Sequence, residues 1–323
     1  MNKRWGFFVL AVILLAAGYK SRSFGESDKL QLGMVWLSDN QSFQDMRNGF
    51  MDEMRSLGYG EDELEFILQD AGGSTETLYS ILSSMEDREM DLVVPLVTSA
   101  AQAAVNRLEK TPIIFLSVTD PVGAGIMSDR NHPDRNATGT CNEVPIKELF
   151  DLALKLTPGI KRIGILYDPA LPNSVLTADR AKEYFEQAGL EWSERAITGS
   201  NEVQAATQAL AQETDAIYVP IDSTVLSAMP QVTEVAGKAG IPVYGSAPSM
   251  VEYGALATVS VSEYETGRQT AALADRYFRG EALEDIPAQT IDDFLTVINT
   301  DTAKKLSISI PEYILKEAHT VEK

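Results

Sequence analysis

The feature that most constrains the fold of this chain is an alternation of two residue patterns, which occurs twice along the sequence. Short apolar runs, typical of buried parallel strands, alternate with segments whose apolar residues recur every three or four positions, as in amphipathic helices. The first series begins near Leu30 and the second follows Pro145. Because strands that alternate with helices form parallel sheets covered by helices, we expect an α/β fold with two Rossmann-like lobes.

The predicted elements follow the same plan in both series. In the first we predict strands at 30–37, 65–69, 91–96 and 112–118, and helices at 43–57, 77–85 and 99–108. In the second we predict strands at 162–167, 191–196, 216–220 and 242–244, and helices at 147–156, 174–188, 201–211 and 224–239. After these we predict a strand at 256–260, a helix at 263–279, a strand at 289–297 and a helix near 302–306.

The length of the chain indicates how these elements divide into domains. With 323 residues the chain exceeds what one compact core usually holds. We therefore place lobe 1 at 30–143 and lobe 2 at 144–257, and the remainder is too short for a third domain. We expect 258–288 to return to lobe 1 and 289–323 to cross back to lobe 2 and form the C-terminal tail, so that several segments link the lobes at a hinge.

The N-terminal residues have the pattern of a secretory signal. Lys3 and Arg4 precede an apolar run from Trp5 to Ala17, which ends in small residues. We expect a signal peptide over 1–18 and a polar linker over 19–29, and therefore a periplasmic or extracellular protein. An uncleaved membrane anchor is the alternative interpretation.

The use of cysteine bears on how the protein would be tethered. Exported proteins often carry a lipid on a Cys that directly follows the signal, but here that position is Tyr19. We therefore expect no lipid anchor, unless the sequence has been altered at this position. The single Cys141 excludes an internal disulfide, and we expect it to be buried as a small apolar residue.

Charge and residue usage argue against several classes of function. The formal net charge of −20 would repel phosphate backbones, so we expect no nucleic-acid partner. The sequence has two histidines, His132 and His319, and neither neighbours a plausible Ser or Cys nucleophile. It has no Cys/His cluster with metal-ligand spacing and no phosphate-binding glycine loop. We therefore expect a protein that is not an enzyme and holds no metal or cofactor. We also expect it to be a monomer.

Polar residues follow the predicted strands at the points where those strands end. Ligands of open parallel sheets bind outside the carboxyl ends of the strands, so these residues are the predicted binding site. They are Trp36, Asn40, Thr98, Ser99, Thr119, Asp120, Asn173, Ser174, Asp222 and Ser246.

The chemistry of this set matches a zwitterion. Two predicted helix starts, at Thr98/Ser99 and at Asn173/Ser174, offer N–H and hydroxyl donors to a carboxylate. Asp120 and Asp222 offer negative charge to an ammonium group, and Trp36 could stack on an apolar side chain. Each residue could instead be an ordinary helix cap, turn or core residue. The argument depends on the recurrence of the set in both halves.

Several stretches resemble ABC-importer substrate-binding proteins of the tryptophan- and tyrosine-binding type. They are Thr98-Ser99-Ala100-Ala101-Gln102, Thr119-Asp120-Pro121-Val122-Gly123-Ala124-Gly125, Asn136-Ala137-Thr138-Gly139, Asn173-Ser174-Val175, Pro220-Ile221-Asp222-Ser223-Thr224-Val225 and Val297-Ile298-Asn299-Thr300-Asp301-Thr302-Ala303-Lys304-Lys305-Leu306. The resemblance runs from about residue 30 to 311, and the order and spacing of the stretches make it specific. One departure concerns the first loop, where the family usually carries Gln and His and this chain has Trp36 and Asn40.

The resemblance implies a type I periplasmic-binding-protein fold with three interlobe crossings and no catalytic activity. It implies that Thr98, Ser99, Thr119 and Asp120 hold the ligand from one lobe, and Asn173, Ser174 and Asp222 from the other. The expected ligand is an L-amino acid with an aromatic or large apolar side chain, captured by hinge closure and passed to an ABC permease. The alternative is a sensor that presents its ligand to a receptor or kinase.

Overall fold

The computed structural model describes residues 29–322. Its strands in chain order are β1 (Leu30–Trp36), β2 (Leu64–Asp70), β3 (Leu92–Pro95), β4 (Ile113–Val118), β5 (Ala137–Asn142), β6 (Arg162–Tyr167), β7 (Glu191–Ala196), β8 (Ala216–Val219), β9 (Val243–Gly245), β10 (Ala257–Val261), β11 (Gln289–Ile291), β12 (Phe294–Asn299) and β13 (His319–Val321). The predicted signal peptide and most of the predicted linker lie outside the described residues.

The α-helices of the same segment lie between and after these strands. They are α1 (Gln41–Ser56), α2 (Thr75–Asp87), α3 (Val97–Arg107), α4 (Ile146–Leu156), α5 (Pro172–Ala188), α6 (Val203–Glu213), α7 (Ser223–Ser227), α8 (Met229–Ala239), α9 (Pro248–Glu252), α10 (Glu263–Phe278), α11 (Thr300–Lys305) and α12 (Glu312–Glu317). None of the helices in this part of the chain combines the length and the apolar character that a membrane span requires.

The strands form two sheets. The first has the spatial order β11-β5-β4-β3-β1-β2, and the second has the order β13-β12-β10-β9-β8-β6-β7. Neighbouring strands of the described residues pair in parallel, except for β10 with β12. This confirms the predicted α/β class, with two predominantly parallel, Rossmann-like sheets. We call the first sheet with α1–α3 and α10 lobe 1, and the second sheet with the other helices lobe 2.

Each sheet is covered by helices on both faces, so its side chains pack into two separate apolar cores. In β1, Leu32 and Met34 pack with α1 and α10 on one face, whereas Val35 packs with α2 and α3 on the other. In lobe 2, Tyr218 packs with α4 and α5, and Val219 packs on the opposite face. Because both faces are buried, the ends of the strands are where a sheet can present polar groups to a ligand.

The described chain passes between the two sheets three times, as the resemblance implies. The crossings lie between β5 and α4, between β10 and α10, and between β11 and β12. They differ from the expected boundaries in two places. Residues 258–261, which we expected in lobe 1, are part of β10 in lobe 2. The predicted strand 289–297 is two strands, because the exposed Asp292 and Asp293 separate β11 in lobe 1 from β12 in lobe 2.

Other elements also depart from the sequence prediction. The helix predicted at 224–239 is divided into α7 and α8, and Pro230 lies at the start of α8, where a missing N–H costs no hydrogen bond. The prediction missed β5, which consists of the weakly apolar residues Ala-Thr-Gly-Thr-Cys-Asn, and the short elements α9, α12 and β13. Within β5, Cys141 is fully buried as expected, and burial raises the pKa of its thiol to about 12.

Helix α10 is held against α1 by an unusually close approach of two backbones. A Cβ added at Gly49 would lie 2.0 Å from the carbonyl oxygen of Tyr264, and one added at Gly267 would lie 2.0 Å from that of Met46. Glycine is therefore required on both helices at this contact. The contact fixes α10 in lobe 1 after the second crossing, and so fixes the position of Glu263, its first residue.

Candidate ligand-binding site

A cavity lies between the lobes, at the carboxyl ends of both sheets. Its empty volume is about 580 Å³, including the open space at its mouth. Lobe 1 contributes Phe43, Met46, Val97, Ser99, Ser117, Asn142 and Glu263, and lobe 2 contributes Asn173, Ile221, Asp222, Ser223, Leu226, Ser246, Ala247, Met250 and Ser260. The wall thus combines hydroxyl, amide and carboxylate groups with a set of large apolar side chains.

The lobe 1 wall contains two residues with left-handed backbone conformations. Val97 has φ 60° and Ser117 has φ 64°, a region that non-glycine residues rarely adopt and that is most unfavourable for a β-branched side chain. At Ser117 the pairing of β4 with β5 shifts register, and the Ser117 N–H donates to Thr140 Oγ1 over 3.2 Å. Strain and bulges of this kind are characteristic of binding sites, because they redirect side chains and N–H groups.

Helix α3 begins directly beside this strained segment. Its N-cap residue is Leu96, and no side chain makes a capping hydrogen bond there. Val97 and Ser99 of its first turn both line the cavity. The first N–H groups of a helix lack intrahelical acceptors and carry partial positive charge, so this wall can receive a carboxylate.

The lobe 2 wall is organised by Asp222, which is the N-cap of α7 and is 2 % exposed. Its Oδ1 accepts the Val225 N–H at 2.8 Å, and its Oδ2 accepts the Asp168 N–H and the Ser174 hydroxyl, both at 2.6 Å. Burial raises the pKa of Asp222, and these three donors oppose that effect. The carboxylate therefore joins the loops after β6 and β8 into one rigid wall.

Two further lobe 2 side chains are fixed by backbone carbonyl groups. Asn173 Nδ2 donates to the Ile221 carbonyl over 2.7 Å. Ser246 Oγ donates to the Val219 carbonyl over 3.0 Å and lies 2.8 Å from the hydroxyl of Tyr218. Both side chains are thereby held in place before a ligand arrives, which lowers the entropic cost of binding.

Glu263 contributes a second carboxylate to the cavity, at the point where α10 starts after the second crossing. It is 6 % exposed, and its Oε1 accepts hydrogen bonds from Ser42 of α1 and from Ser249 of α9, the latter at 3.0 Å. Burial raises the pKa of Glu263 to about 7, and the charges of Asp45 and Glu252 act in the same direction. The carboxylate is thus shared between helices of both lobes.

Asn142 lines the cavity at the end of β5, just before the first crossing. It is 7 % exposed, and its Nδ2 donates to Ser117 Oγ over 3.3 Å. Its Oδ1 is buried and has no hydrogen-bond partner within residues 29–322. A buried acceptor without a partner is costly, so this oxygen is a candidate acceptor for a donor that enters the cavity.

The sequence of the described fold matches a known family. The model for "ABC transporter substrate binding protein" matches residues 33–322. This chain belongs to that family. Members bind substrates for ABC transporters and are not enzymes, in agreement with the expectation from the sequence.

Known proteins, two of them with solved structures, are similar to this substrate-binding protein over nearly its whole length. A tyrosine-binding protein of Clostridioides difficile is 31% identical over 90% of this chain and 85% of its own. A Streptococcus pneumoniae ABC domain in complex with L-Trp is 31% identical, with a TM-score of 0.88 over 91% of this chain and 100% of the other. A ligand-free, open substrate-binding protein of Clostridium difficile is 30% identical, with a TM-score of 0.72 over 91% of this chain and 99% of the other.

The residues predicted from the sequence fall into several groups in this substrate-binding protein. Ser99, Asn173, Asp222 and Ser246 line the interlobe cavity. Ser174 is fully buried behind that wall and reaches it through its hydrogen bond to Asp222. The structure thus brings together predicted residues from both lobes, which are far apart in the sequence.

Thr98 and Asp120 line a second cavity, with an empty volume of about 390 Å³, and Asn173 lines both cavities. Asp120 Oδ1 accepts the Gly123 N–H at 3.0 Å and lies 3.5 Å from an Arg130 nitrogen. Thr119 is 2 % exposed and lines neither cavity. The carboxylate of Asp120 therefore closes its own turn and pairs with a cation of the protein.

Trp36 and Asn40, the residues that depart from the family pattern, line neither of these cavities. The Trp36 ring is buried in the lobe 1 core, with the Arg47 guanidinium 4.0 Å from its centre. Asn40 is the N-cap of α1, where its Oδ1 accepts the Phe43 N–H at 3.1 Å. Within the structure described here they have the structural roles that the sequence left open as alternatives.

Sequence reasoning missed Asn142 and Glu263, although both follow the rule used to find the other residues. Each lies at the carboxyl end of a parallel strand, β5 or β10. The prediction contained no strand at β5, and it assigned 258–288 to lobe 1, so Glu263 was not placed after a lobe 2 strand. Among residues 29–322 no cluster of three His, Cys, Asp or Glu side chains could hold a metal ion.

Proposed function

We propose that this substrate-binding protein captures an L-amino acid with an aromatic or large apolar side chain between its lobes, for delivery to an ABC permease. The observation that carries the proposal is the composition of the interlobe cavity. Its polar groups include the free start of α3 and the carboxylates of Asp222 and Glu263. A zwitterion needs both kinds of partner, because one of its charged groups accepts hydrogen bonds and the other donates them.

The apolar part of the cavity supports a large side chain on the ligand. Phe43 and Met46 of α1 and Leu226 and Met250 of lobe 2 line the same space as the polar groups. Such a wall stabilises an aromatic or long aliphatic group by removing its surface from water. The names of similar proteins, one solved with L-Trp and one called a tyrosine-binding protein, point to the same class of ligand.

Capture by hinge closure is part of the proposal. Residues of both lobes line the cavity, so a ligand there contacts both and favours the closed arrangement. At nearly equal sequence identity, the TM-score is 0.88 with the relative bound to L-Trp and 0.72 with the open, ligand-free relative. This difference supports a closed arrangement of the lobes in the structure described here.

A thermal-shift screen of the twenty common L-amino acids tests the ligand class. A ligand that binds the folded state raises its free energy of unfolding by about 2.7 kcal/mol at a hundredfold excess over Kd. We expect L-tryptophan or L-tyrosine to raise the melting temperature. We also expect X-ray scattering to give a smaller radius of gyration for the ligand-bound protein than for the ligand-free protein. The absence of a shift with every amino acid would refute the proposed ligand class.

We also propose that the protein is exported by the segment at residues 1–18, acts outside the cytoplasm and is a monomer. The basic residues followed by an apolar run and small residues support export. Cell fractionation with and without that segment, followed by light scattering of the purified protein, tests both statements.

A further inference from the structure

Of the three carboxylates at the two cavities, Glu263 is the one with neither a basic partner nor donors on both of its oxygens among the described residues. Asp120 pairs with Arg130, and both oxygens of Asp222 accept donors of the protein itself. In contrast, the two serine hydroxyls that reach Glu263 both contact Oε1. No Lys or Arg nitrogen of residues 29–322 lies within 4.0 Å of its carboxylate.

A buried carboxylate that no cation balances is energetically unfavourable in a folded protein. The surroundings of Glu263 increase this cost, since Asp45 on α1 and Glu252 on α9 are both acidic. These three groups together produce a negative potential at the side of the cavity where α10 begins. A cation that enters the cavity is stabilised there by all three charges.

Asn142 gives an independent indication of the same kind of ligand. It lines the cavity with Glu263, and its buried Oδ1 has no donor among the described residues. An ammonium group carries three hydrogen-bond donors and no acceptor, so it can donate to an amide oxygen and to a carboxylate at the same time. A carboxylate on the ligand only accepts hydrogen bonds and would leave Oδ1 without a partner.

We propose that Glu263 and Asn142 form the subsite for the ligand's positively charged amino group, and that occupation of this subsite is linked to closure of the lobes. The proposal rests on the amino-acid function proposed above. It replaces Asp120 and Asp222, which we predicted from sequence to hold this group, by two residues at the interlobe crossings. Asp222 keeps the role of holding the lobe 2 wall together.

The link to closure follows from the partners of Glu263. Ser42 belongs to α1 of lobe 1 and Ser249 to α9 of lobe 2, and their hydroxyl oxygens lie 3.0 Å apart at Oε1 of Glu263. Separation of the lobes breaks the contact between Ser249 and Glu263. An ammonium group keeps Glu263 ionised, and the ionised form is the stronger acceptor for both serines.

The same arrangement predicts that the affinity depends on pH. Burial raises the pKa of Glu263 to about 7, and the acidic Asp45 and Glu252 face it from α1 and α9. A bound ammonium lowers that pKa again, so binding below pH 7 must first release a proton from the carboxyl group. The affinity for an amino acid should therefore fall as the pH decreases from 7 to 5, at most tenfold per pH unit.

The test compares two ligands with two variants by isothermal titration calorimetry. The ligand pairs are L-tryptophan with indole-3-propionate, and L-tyrosine with 3-(4-hydroxyphenyl)propionate, which differ only in the amino group. The variants are Glu263→Gln and, as a control, Glu265→Gln, which removes the same charge from the exposed side of the first turn of α10, where Glu265 contacts Arg268. Thermal unfolding verifies that each variant is folded.

We expect the wild type to bind the amino acid at least a hundredfold more tightly than its desamino analogue. Glu263→Gln should weaken amino-acid binding at least tenfold, leave the analogue within threefold of wild type and abolish the pH dependence, while Glu265→Gln changes none of these. Asn142→Leu should also weaken amino-acid binding selectively, even if Glu263→Gln proves unstable. Amino-acid binding that both substitutions leave unchanged overturns this subsite but not the proposed function. A wild type that binds neither amino acid overturns both.

Discussion

The contact between α1 and α10 makes a sharp prediction about Gly267. Replacement by Ala would place a Cβ 2.0 Å from the Met46 carbonyl oxygen and 2.8 Å from the Phe50 nitrogen. Both are backbone atoms, so no side-chain rotation relieves the overlap. The distance from the Cβ to the Met46 oxygen would have to increase from 2.0 Å to the 3.4 Å at which ordinary van der Waals contact begins. A gap of about 0.5–1 Å between the helices already forfeits a quarter to a half of the dispersion energy of the atoms that line it.

The expected magnitude follows from two opposing effects. Overpacking of a closely packed contact typically costs about 1–3 kcal/mol, and an overlap with backbone on both sides belongs at the upper end. Alanine in a helix interior returns about 1 kcal/mol relative to glycine. We therefore expect Gly267→Ala to lower the free energy of unfolding by about 2 kcal/mol, and the melting temperature by on the order of 5 °C.

The matched control is Gly237→Ala in the exposed part of α8. A Cβ there meets no atom within 4 Å, so only the gain in helix propensity remains. We expect this variant to be more stable than the wild type by about 0.5–1 kcal/mol. Urea unfolding followed by circular dichroism measures both variants. If Gly267→Ala were as stable as Gly237→Ala, the close helix contact in lobe 1 would be refuted.

Two further predictions concern the buried carboxylates. Replacement of Asp222 by Ala leaves two buried N–H groups and the Ser174 hydroxyl without their acceptor. We therefore expect urea unfolding to show a free energy of unfolding that is lower by about 2–4 kcal/mol. A decrease below about 0.5 kcal/mol would contradict the role of Asp222 in holding the lobe 2 wall together. The pKa of Glu263 is raised from 4.5 to about 7, so the folded, ligand-free protein holds the protonated carboxyl group more tightly than the unfolded chain does. The resulting stabilisation is fully present below pH 4.5 and is lost as the pH rises to about 7. Relative to Glu263→Gln, the free energy of unfolding of the wild type should fall by on the order of 3 kcal/mol across that pH window. Plots of this free energy against pH that run parallel for the two proteins would contradict the prediction.

Much of the fold was predictable because its signals are local. The apolar runs at β1, β4 and β6 and the three- to four-residue spacing in α1 and α5 depend only on neighbouring residues. The rule that ligands bind at the carboxyl ends of parallel strands then led to Ser99, Asn173, Asp222 and Ser246. All four line the cavity, since parallel strands in one sheet all end at the same edge.

The sequence left open which role each polar or aromatic residue takes, and the tertiary structure decided it. Trp36 ends β1 as predicted, but its ring lies in the core under Arg47, because the strand's register assigns its side chain to a buried face. Asp222 has the charge to hold an ammonium group, yet its oxygens are occupied by donors from loops that only the folded sheet brings within 2.6–2.8 Å.

The crossings between the lobes show the limit of sequence reasoning most clearly. By itself the sequence determined two α/β halves and indicated Ser99, Asn173, Asp222 and Ser246 at their edges. Only the tertiary structure determined that β10 stays in lobe 2 and that α10 returns to lobe 1, where Gly49 and Gly267 let it approach α1. Asn142 and Glu263 reach the cavity through those crossings, because the path of a chain between two sheets depends on long-range packing that no local pattern encodes.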